Sequence, residues 1–297
     1  MKNVYLEHLK SLSKDQLISL LYKPYKNNKI YDFKSYRNVA LKFCYHGKDY
    51  SGLAEFKFRD TIGNRIKNAL LMSTLGDKIV YAGRTDAGVS AANMIGSCRV
   101  KSRLTSNTNR YEITDDDTDE FNYDLILNSY LPENIRILGW APVEDEFSAR
   151  FSCIQRIYRY YFFDEGYDFS NMNKMCKKII SLKNFYDFCK HSENIKNYNR
   201  TVDKCEIVKD NDLYYLDIRA RSFLHNMVRK IFWVLDKIGR DESFSYSNVG
   251  ISDPENLIFY EAIYPIKLNF LCKQKSNNIY QKIKIKNEIL RQIYKEV

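Results

Sequence analysis

The chain has 297 residues, of which 44% are hydrophobic and 28% are charged; this length suits one large domain or two of ordinary size. Lys and Arg outnumber Asp and Glu by 47 to 37, a net charge of +10, which indicates a polyanionic partner, although an AT-rich coding bias also enriches Lys. We expect no export signal, no membrane-spanning segment, no disulfide framework and no zinc knuckle, because long apolar runs and C-x-x-C pairs are absent from the sequence.

Residues 1–36 predict a short helix and a linker. Residues 37–146 then alternate between strand and helix patterns. Alternating apolar positions predict a strand at Val39–Tyr45, and Thr61 is predicted to cap a helix that Gly76 ends. The remaining predictions for this part are strands at 78–81, 94–101 and 137–143, a helix that begins near Asn122, and a solvated acidic insertion at Asp115–Glu120.

Residues 147–270 repeat this order of elements. We predict a strand at Tyr158–Phe163, a helix at Met172–Ile180 and a short helix at Phe185–Cys189. The next predictions are a hairpin of Cys205–Val208 with Leu213–Ile218, a helix from a Ser222 cap to Gly239, and a strand at Ile258–Ile266. Residues 271–297 predict a basic helix, which either binds RNA or is merely solvated.

Both parts therefore follow the order strand, helix, two strands, helix, strand. This order is typical of the ferredoxin-like unit, which RNA-recognition domains also use. We predict an α+β fold in which two ferredoxin-like halves share an extended mixed or antiparallel sheet. The helices are expected on one face of that sheet, and the active cleft is expected between the halves.

The first candidate site is the glycine-rich segment Gly83–Val89, which contains Arg84 and Asp86. Two glycines allow the backbone to approach a ligand closely, and Arg84 and Asp86 bring opposite charges to one loop. The alternative is a tight turn in which Asp86 only caps the backbone.

The second candidate site is the segment from Phe147 to Tyr160, in which Arg150, Arg156 and Arg159 are interleaved with aromatic residues. This pattern suits phosphate contact combined with base stacking. Strand alternation places Tyr158 and Tyr160 on one face. An aromatic core strand with arginines at its rim is an equally common explanation.

The third candidate site is Arg221–Ile231, the start of a helix with a broad apolar stripe. A buried guanidinium at Arg229 is costly unless a carboxylate pairs with it. Asp86 is the candidate partner, and such a pair would keep Asp86 ionised in an apolar pocket.

These three motifs, in this order, resemble those of the TruA family of tRNA pseudouridine synthases over about residues 37–270. The segments Tyr50–Ala54 and Phe188–Thr201 resemble the eukaryotic branch that acts on positions 38 and 39 of the anticodon stem-loop. That branch typically has Lys where this chain has Ala87. Bacterial members usually have His where this chain has Ser90, which favours the eukaryotic side.

The resemblance implies roles for individual residues. It implies that Asp86 is the catalytic aspartate, that Arg84 enters the RNA stack, that Tyr158 stacks on the target base and that Arg229 pairs with the aspartate. Asp86, Tyr158 and Arg229 are thus the catalytic candidates. The candidates for binding RNA are Arg84, Thr85, Gly88, Arg150, Arg156, Arg159, Tyr160 and His225.

The implied activity is the isomerisation of uridine in tRNA, which is redox-neutral and requires no cofactor or metal. Asp86 would act as a nucleophile at the sugar or the base, or as a base toward a sugar proton. Two alternatives remain: the eukaryotic branch of the family that modifies several tRNA positions, and a non-catalytic RNA-binding or RNA-folding protein. Monomer and homodimer are both open, as are nucleus and cytoplasm.

Overall fold

A computed structural model describes residues 35–104, 120–193 and 196–272 of the chain. These residues form an α+β fold with eight strands and four α-helices. The strands are β1 (Ser35–Tyr45), β2 (Val80–Tyr81), β3 (Ser90–Ser102), β4 (Ile135–Pro142), β5 (Gln155–Phe162), β6 (Val202–Asp210), β7 (Leu213–Ala220) and β8 (Leu257–Ile263). The helices are α1 (Ile62–Met72), α2 (Tyr123–Asn128), α3 (Phe169–Ser181) and α4 (Met227–Gly239), with a 3₁₀ turn at Tyr246–Asn248.

All eight strands belong to one sheet, which has the order β4-β1-β3-β8-β5-β7-β6, with β2 paired to β3. The sheet is mixed, as predicted. The pairing of β3 with β8 is parallel, whereas the other pairings are antiparallel. β8, the last of the described strands, thus joins the early strands to the later ones and brings distant segments of the chain side by side.

The alternation in β1 is confirmed by its burial. Val39, Leu41 and Phe43 are fully buried and Tyr45 is nearly so, whereas Lys42 is partly exposed. Apolar side chains on one face of a strand are removed from water when helices cover that face, and this burial is the main favourable contribution to folding.

The helix predicted after Thr61 is present, but it ends earlier than expected. The Thr61 side chain accepts a hydrogen bond from the backbone N–H of Asn64, as an N-cap should. The helix ends at Met72 rather than at Gly76. Thr74 takes a left-handed conformation at φ 57°, which stops the helix before the glycine is reached.

The hairpin between β6 and β7 is confirmed, with Asn211 at φ 56° in its turn. The short helix predicted at Phe185–Cys189 is wrong, because this segment is a turn. The backbone N–H of Phe185 donates to Tyr198 and that of Lys190 donates to His225. Donors that bond to distant carbonyls cannot continue a helix.

The helix predicted to begin at Ser222 begins instead at Met227. Asn226 has φ 64°, a left-handed conformation that an α-helix does not tolerate. Residues 221–226 therefore form a loop rather than a first helical turn, and this loop reaches the candidate site described below.

Glu120 was predicted to belong to a solvated acidic insertion, and for this residue the prediction is wrong. Glu120 is buried and lies 3.2 Å from the Arg37 guanidinium. It also accepts hydrogen bonds from the Ser102 hydroxyl and from the backbone N–H of Arg103. A buried carboxylate is tolerated when it is paired and hydrogen-bonded in this way.

Several predictions lie outside the described residues: the N-terminal helix, the rest of the acidic segment and the basic C-terminal helix, at positions 1–34, 105–119 and 273–297. Within the part of the chain that the structure describes, no helix combines the length and apolar character needed to cross a bilayer.

Candidate active site

Asp86 lies in the loop between β2 and β3, and its neighbours in the sequence anchor that loop. The Thr85 hydroxyl is 2.7 Å from the Tyr45 hydroxyl in a buried hydrogen bond. The Thr85 carbonyl accepts a bond from the backbone N–H of Leu53. The Asp86 carbonyl in turn accepts from the N–H of Val89. The backbone on both sides of Asp86 is therefore held in place.

Two glycines allow close packing of this loop. Gly52 has φ 94°, and a Cβ there would lie 2.8 Å from the Thr85 carbonyl oxygen. Gly88 has φ 83°, and a Cβ there would lie 2.8 Å from Pro254 Cγ. Both positions combine a left-handed backbone with no room for a side chain, which is the situation that requires glycine. Gly88 thus packs against protein rather than facing an open surface.

The Asp86 carboxylate lies between two basic side chains. Arg229 Nη1 is 3.7 Å from Oδ2, and His225 Nε2 is 3.3 Å from Oδ1. The predicted contact between Asp86 and Arg229 is therefore confirmed. The exposed fraction is 24% for the Asp86 side chain, 13% for Arg229 and 52% for His225. The carboxylate is sheltered on the Arg229 side and open to solvent past His225.

Arg229 lies in the first turn of α4, and the backbone of Ser252 holds it in position. Arg229 Nε donates to the Ser252 carbonyl at 2.8 Å, and the Ser252 N–H donates back to the Arg229 carbonyl. One guanidinium thus joins the segment before β8 to the Asp86 loop, which matches the rigid fork of donors in Arg. The sequence gives no sign of Ser252, because its contribution is a backbone carbonyl.

Tyr158 lies on β5 close to the same loop. A Cβ at Gly83 would be 3.8 Å from the Tyr158 hydroxyl. Phe223 and Phe259 pack edge-on against the Tyr158 ring at centroid distances of 5.1 and 5.2 Å. Burial, and then the charge of Asp86, raise the pKa of Tyr158 well above its ordinary value. The phenol therefore stays protonated at neutral pH.

The rings around Tyr158 were not among the predicted site residues. Phe223 belongs to the third motif, so its aromatic character was a usable signal, whereas Phe259 lies on β8 and no motif includes it. Only 7% of Tyr158 is exposed. A nucleobase therefore has little access to the Tyr158 ring in this conformation.

Arg156 is buried and bonds to three backbone carbonyls. Its Nε donates to Ala82 at 2.8 Å, its Nη2 donates to Arg150 at 2.7 Å, and its Nη1 donates to Arg221. Arg150 and Arg221 belong to the second and third motifs, and Ala82 immediately precedes the first motif, Gly83–Val89. Arg156, predicted to contact RNA, thus turns inward and ties the three motif segments together.

We expect Arg156→Met to lower the free energy of unfolding by about 2–4 kcal/mol, because three carbonyls lose their donor. Arg156→Lys should lose less, since an ammonium keeps the charge and some of the bonds. Urea denaturation measures the effect. The matched control is Arg150→Met, because the Arg150 side chain is exposed and should change stability little. Equal stability of the Arg156→Met and Arg150→Met proteins would contradict the proposed clamp.

The other predicted RNA-binding residues fall into two groups. Arg84, like Arg150, is exposed, and it lies two residues from Asp86.

Tyr160 is buried and stacks on Phe232 of α4 at 3.9 Å. Burial raises its pKa to about 12. Arg159, which alternates with Tyr158 and Tyr160 along β5, lies 3.5 Å from the centroid of the Tyr260 ring. Tyr160 therefore packs in the core against α4, and the Arg159 guanidinium packs against an aromatic ring of β8.

Within the described ranges, no cluster of three or more His, Cys, Asp and Glu side chains is arranged to hold a metal ion. The ionisable groups that meet there are instead the Asp86 carboxylate, the Arg229 guanidinium and the His225 imidazole. Such a set suits acid–base or nucleophilic chemistry.

Known proteins are similar to the part of the chain that forms this site. A family model described as tRNA pseudouridine synthase matches residues 175–265, a range that includes His225 and Arg229. Among curated relatives, tRNA pseudouridine synthase A of Methanosarcina mazei is 31% identical over 234 residues, which cover 76% of this chain and 79% of the relative. The chain belongs to the TruA family of tRNA pseudouridine synthases.

Eukaryotic members of the TruA family are also similar to this chain. The tRNA pseudouridine(38/39) synthase of Mus musculus is 31% identical over 245 residues, covering 72% of this chain and 50% of the relative. That of Saccharomyces cerevisiae is 32% identical over 231 residues, covering 72% and 52%. This TruA-family chain thus spans about half the length of the first curated relatives it matches.

Proposed function

We propose that this protein converts uridine to pseudouridine at positions 38 and 39 in the anticodon stem-loop of tRNA. The observation that carries the proposal is the Asp86 carboxylate, flanked by Arg229 and His225 in a partly open site. Membership of the TruA family supports it, as does similarity to relatives named tRNA pseudouridine(38/39) synthase.

The proposed reaction rearranges one nucleotide without changing its composition. The bond between C1′ and N1 breaks, the uracil turns, and a bond forms between C1′ and C5. C5 loses its proton and N1 gains one, so no oxidant or reductant is consumed. Asp86 supplies the reactive carboxylate, and Arg229 orients it through the contact with Oδ2.

The target uridine must leave its stack before Asp86 reaches it, at a cost of a few kcal/mol. Arg84 is exposed beside Asp86, a position suited to occupying the space that the base vacates. Stacking on Tyr158, once its ring becomes accessible, would return about 1–3 kcal/mol. The net charge of +10 favours association with the phosphate backbone.

We further propose that residues 37–146 and 147–270 are two ferredoxin-like halves with the active cleft between them. The order of elements supports this division, because β1-α1-β2-β3-α2-β4 and β5-α3-β6-β7-α4-β8 follow the same pattern. Asp86 comes from the first half, and Tyr158 and Arg229 come from the second. Because β1 starts at Ser35, we assign Ser35 and Tyr36 to the first half rather than to the predicted linker.

The test is incubation of the protein with tRNA transcripts that carry uridine at positions 38 and 39. Carbodiimide labelling and reverse transcription then locate pseudouridine. We expect pseudouridine at these two positions and none there in transcripts with cytidine at both. Pseudouridine at several other positions would favour the multi-site branch of the family. No pseudouridine at any position would favour a non-catalytic RNA-binding protein.

A further inference from the structure

Two aromatic rings stand out from the surface in the segment Phe56–Arg59, which we name the aromatic–basic loop. It contains Phe56, Lys57, Phe58 and Arg59 and lies between β1 and α1. Phe58 is fully exposed and Phe56 is 52% exposed. Phe58 also has φ 61°, a conformation that is strained for a bulky residue. Backbone strain is frequent at ligand-binding sites, which makes the exposed ring a candidate binding group.

The aromatic–basic loop is held in one shape by neighbouring residues. The side-chain amide of Asn64 donates to the carbonyls of Phe56 and Arg59, at 2.7 and 2.8 Å. The backbone N–H of Ser51 donates to the Asp60 carbonyl at 2.9 Å. Because the backbone of the loop is held in place before a ligand arrives, it loses little freedom on binding.

The acidic residues that flank the loop are paired within the protein. Glu55 lies 2.8 Å from Lys67, and Asp60 lies 2.6 Å from Arg65. Lys57 and Arg59 are exposed, and for neither is an ion pair with a carboxylate found within the described ranges. The Arg59 guanidinium lies 5.7 Å from the centroid of the Phe56 ring. The loop therefore presents aromatic faces together with positive charge.

The loop begins close to the Asp86 segment. The N–H of Leu53 donates to the Thr85 carbonyl, and Phe56 follows three residues later. Three residues of extended chain reach at most about 10 Å, and the five that separate Leu53 from Phe58 reach at most about 18 Å. A molecule whose nucleotide lies at Asp86 is therefore within reach of this loop.

We propose that the aromatic–basic loop is a second RNA-binding site, at which Phe58 stacks on an unpaired base of the tRNA engaged at Asp86. Lys57 and Arg59 contact phosphates next to that base. Aromatic rings for bases and cations for phosphates are the pattern of single-strand recognition. An interface with a second protein would deplete charge around the rings. The proposal rests on the proposed function, because it assigns the ligand as the substrate tRNA.

The experiment measures binding without turnover. The probe is a tRNA transcript with cytidine at positions 38 and 39, titrated against wild type, Phe58→Ala and Phe163→Ala. Phe163 is the matched control, because it is 64% exposed but is followed by Asp164 and Glu165, whose negative charge opposes contact with phosphates. We expect Phe58→Ala to weaken binding about tenfold or more and Phe163→Ala to leave it unchanged. Equal affinities for the three proteins would overturn the proposal.

Two further variants separate binding from folding. Phe58→Gly removes the ring and suits the left-handed backbone, so it should bind as weakly as Phe58→Ala while melting no lower than wild type. Phe58→Trp should show fluorescence quenching on addition of this transcript, as a stacked indole does. Absence of quenching at saturating tRNA would contradict stacking.

Analytical ultracentrifugation of the same variants measures self-association and so tests the alternative partner, a second copy of the chain. Loss of self-association in Phe58→Ala with unchanged affinity for tRNA would overturn the proposal in favour of a protein interface. Because the binding assay needs no pseudouridine formation, a failure of the proposed activity does not obscure its result.

Discussion

Asp86→Asn is expected to abolish pseudouridine formation while the protein still folds and binds tRNA. Asn has nearly the same shape as Asp but carries no charge, so it neither attacks a carbon atom nor takes a proton. We expect the rate of the chemical step to fall about 10³-fold or more, the scale of losing a central reacting group. The measurement is single-turnover release of tritium from tRNA that contains 5-tritiated uridine.

The matched control is Asp210→Asn, in the hairpin between β6 and β7. Asp210 is exposed, and its neutralisation should leave tritium release unchanged. Wild-type release by Asp86→Asn would contradict the role of Asp86. If wild type itself released no tritium, the proposed activity would fail instead. Circular dichroism of both variants should match that of wild type.

Arg229→Met is expected to have the second largest effect, because it acts on both activity and stability. It removes the guanidinium 3.7 Å from Asp86 and leaves the Ser252 carbonyl without its donor. We expect the chemical step to slow about 10²-fold or more and the free energy of unfolding to fall by about 1–3 kcal/mol. Tritium release and urea denaturation measure the two effects separately.

Arg229→Lys distinguishes orientation of Asp86 from support of the fold. Lysine keeps the charge, but it cannot bond to Ser252 and face Asp86 with the same fork of donors. It should recover much of the stability and only part of the rate, with little change in tRNA affinity. The control is Lys177→Met, an exposed cation on α3, which should alter neither quantity. Wild-type turnover by a folded Arg229→Met protein would exclude the proposed positioning role.

The reliable sequence predictions were those that depend on neighbouring residues. Alternation predicted β1 because strand side chains point to opposite faces in turn. Thr61 predicted the start of α1 because its side chain caps a backbone donor three residues away. The pattern at residues 210–212 predicted a hairpin, and Asn211 makes that turn. Each of these features is decided within a few residues of the chain.

Two predictions failed because distant segments compete for the same groups, whereas the ends of α1 and α4 were missed because Thr74 and Asn226 adopt a left-handed backbone. Phe185 and Lys190 donate their backbone N–H groups to residues far along the chain, so the local helical pattern there is overridden. Glu120 belongs to an acidic run, yet Arg37 and Ser102 bury it. Local composition contains no information about such partners.

The candidate site likewise contains one contact that could be predicted from the sequence and side-chain positions that could not. Reasoning about the cost of a buried guanidinium, together with the family resemblance, was enough to predict the contact between Asp86 and Arg229. The inward turn of Arg156 and the packing of Arg159 against a ring of β8 depend on which face of β5 each residue occupies and on what packs there. A motif names residue types but does not show where their side chains point.

By itself, the sequence determined the family, the order of strands and helices, and the identity of the charged pair at Asp86. Only the tertiary structure decided the parallel pairing of β3 with β8, the three carbonyls bound by Arg156 and the exposure of Phe58. The physical reason is the separation along the chain over which each interaction acts. Capping and side-chain alternation act over a few residues, whereas burial and long-range hydrogen bonds exist only once segments far apart in the chain have met.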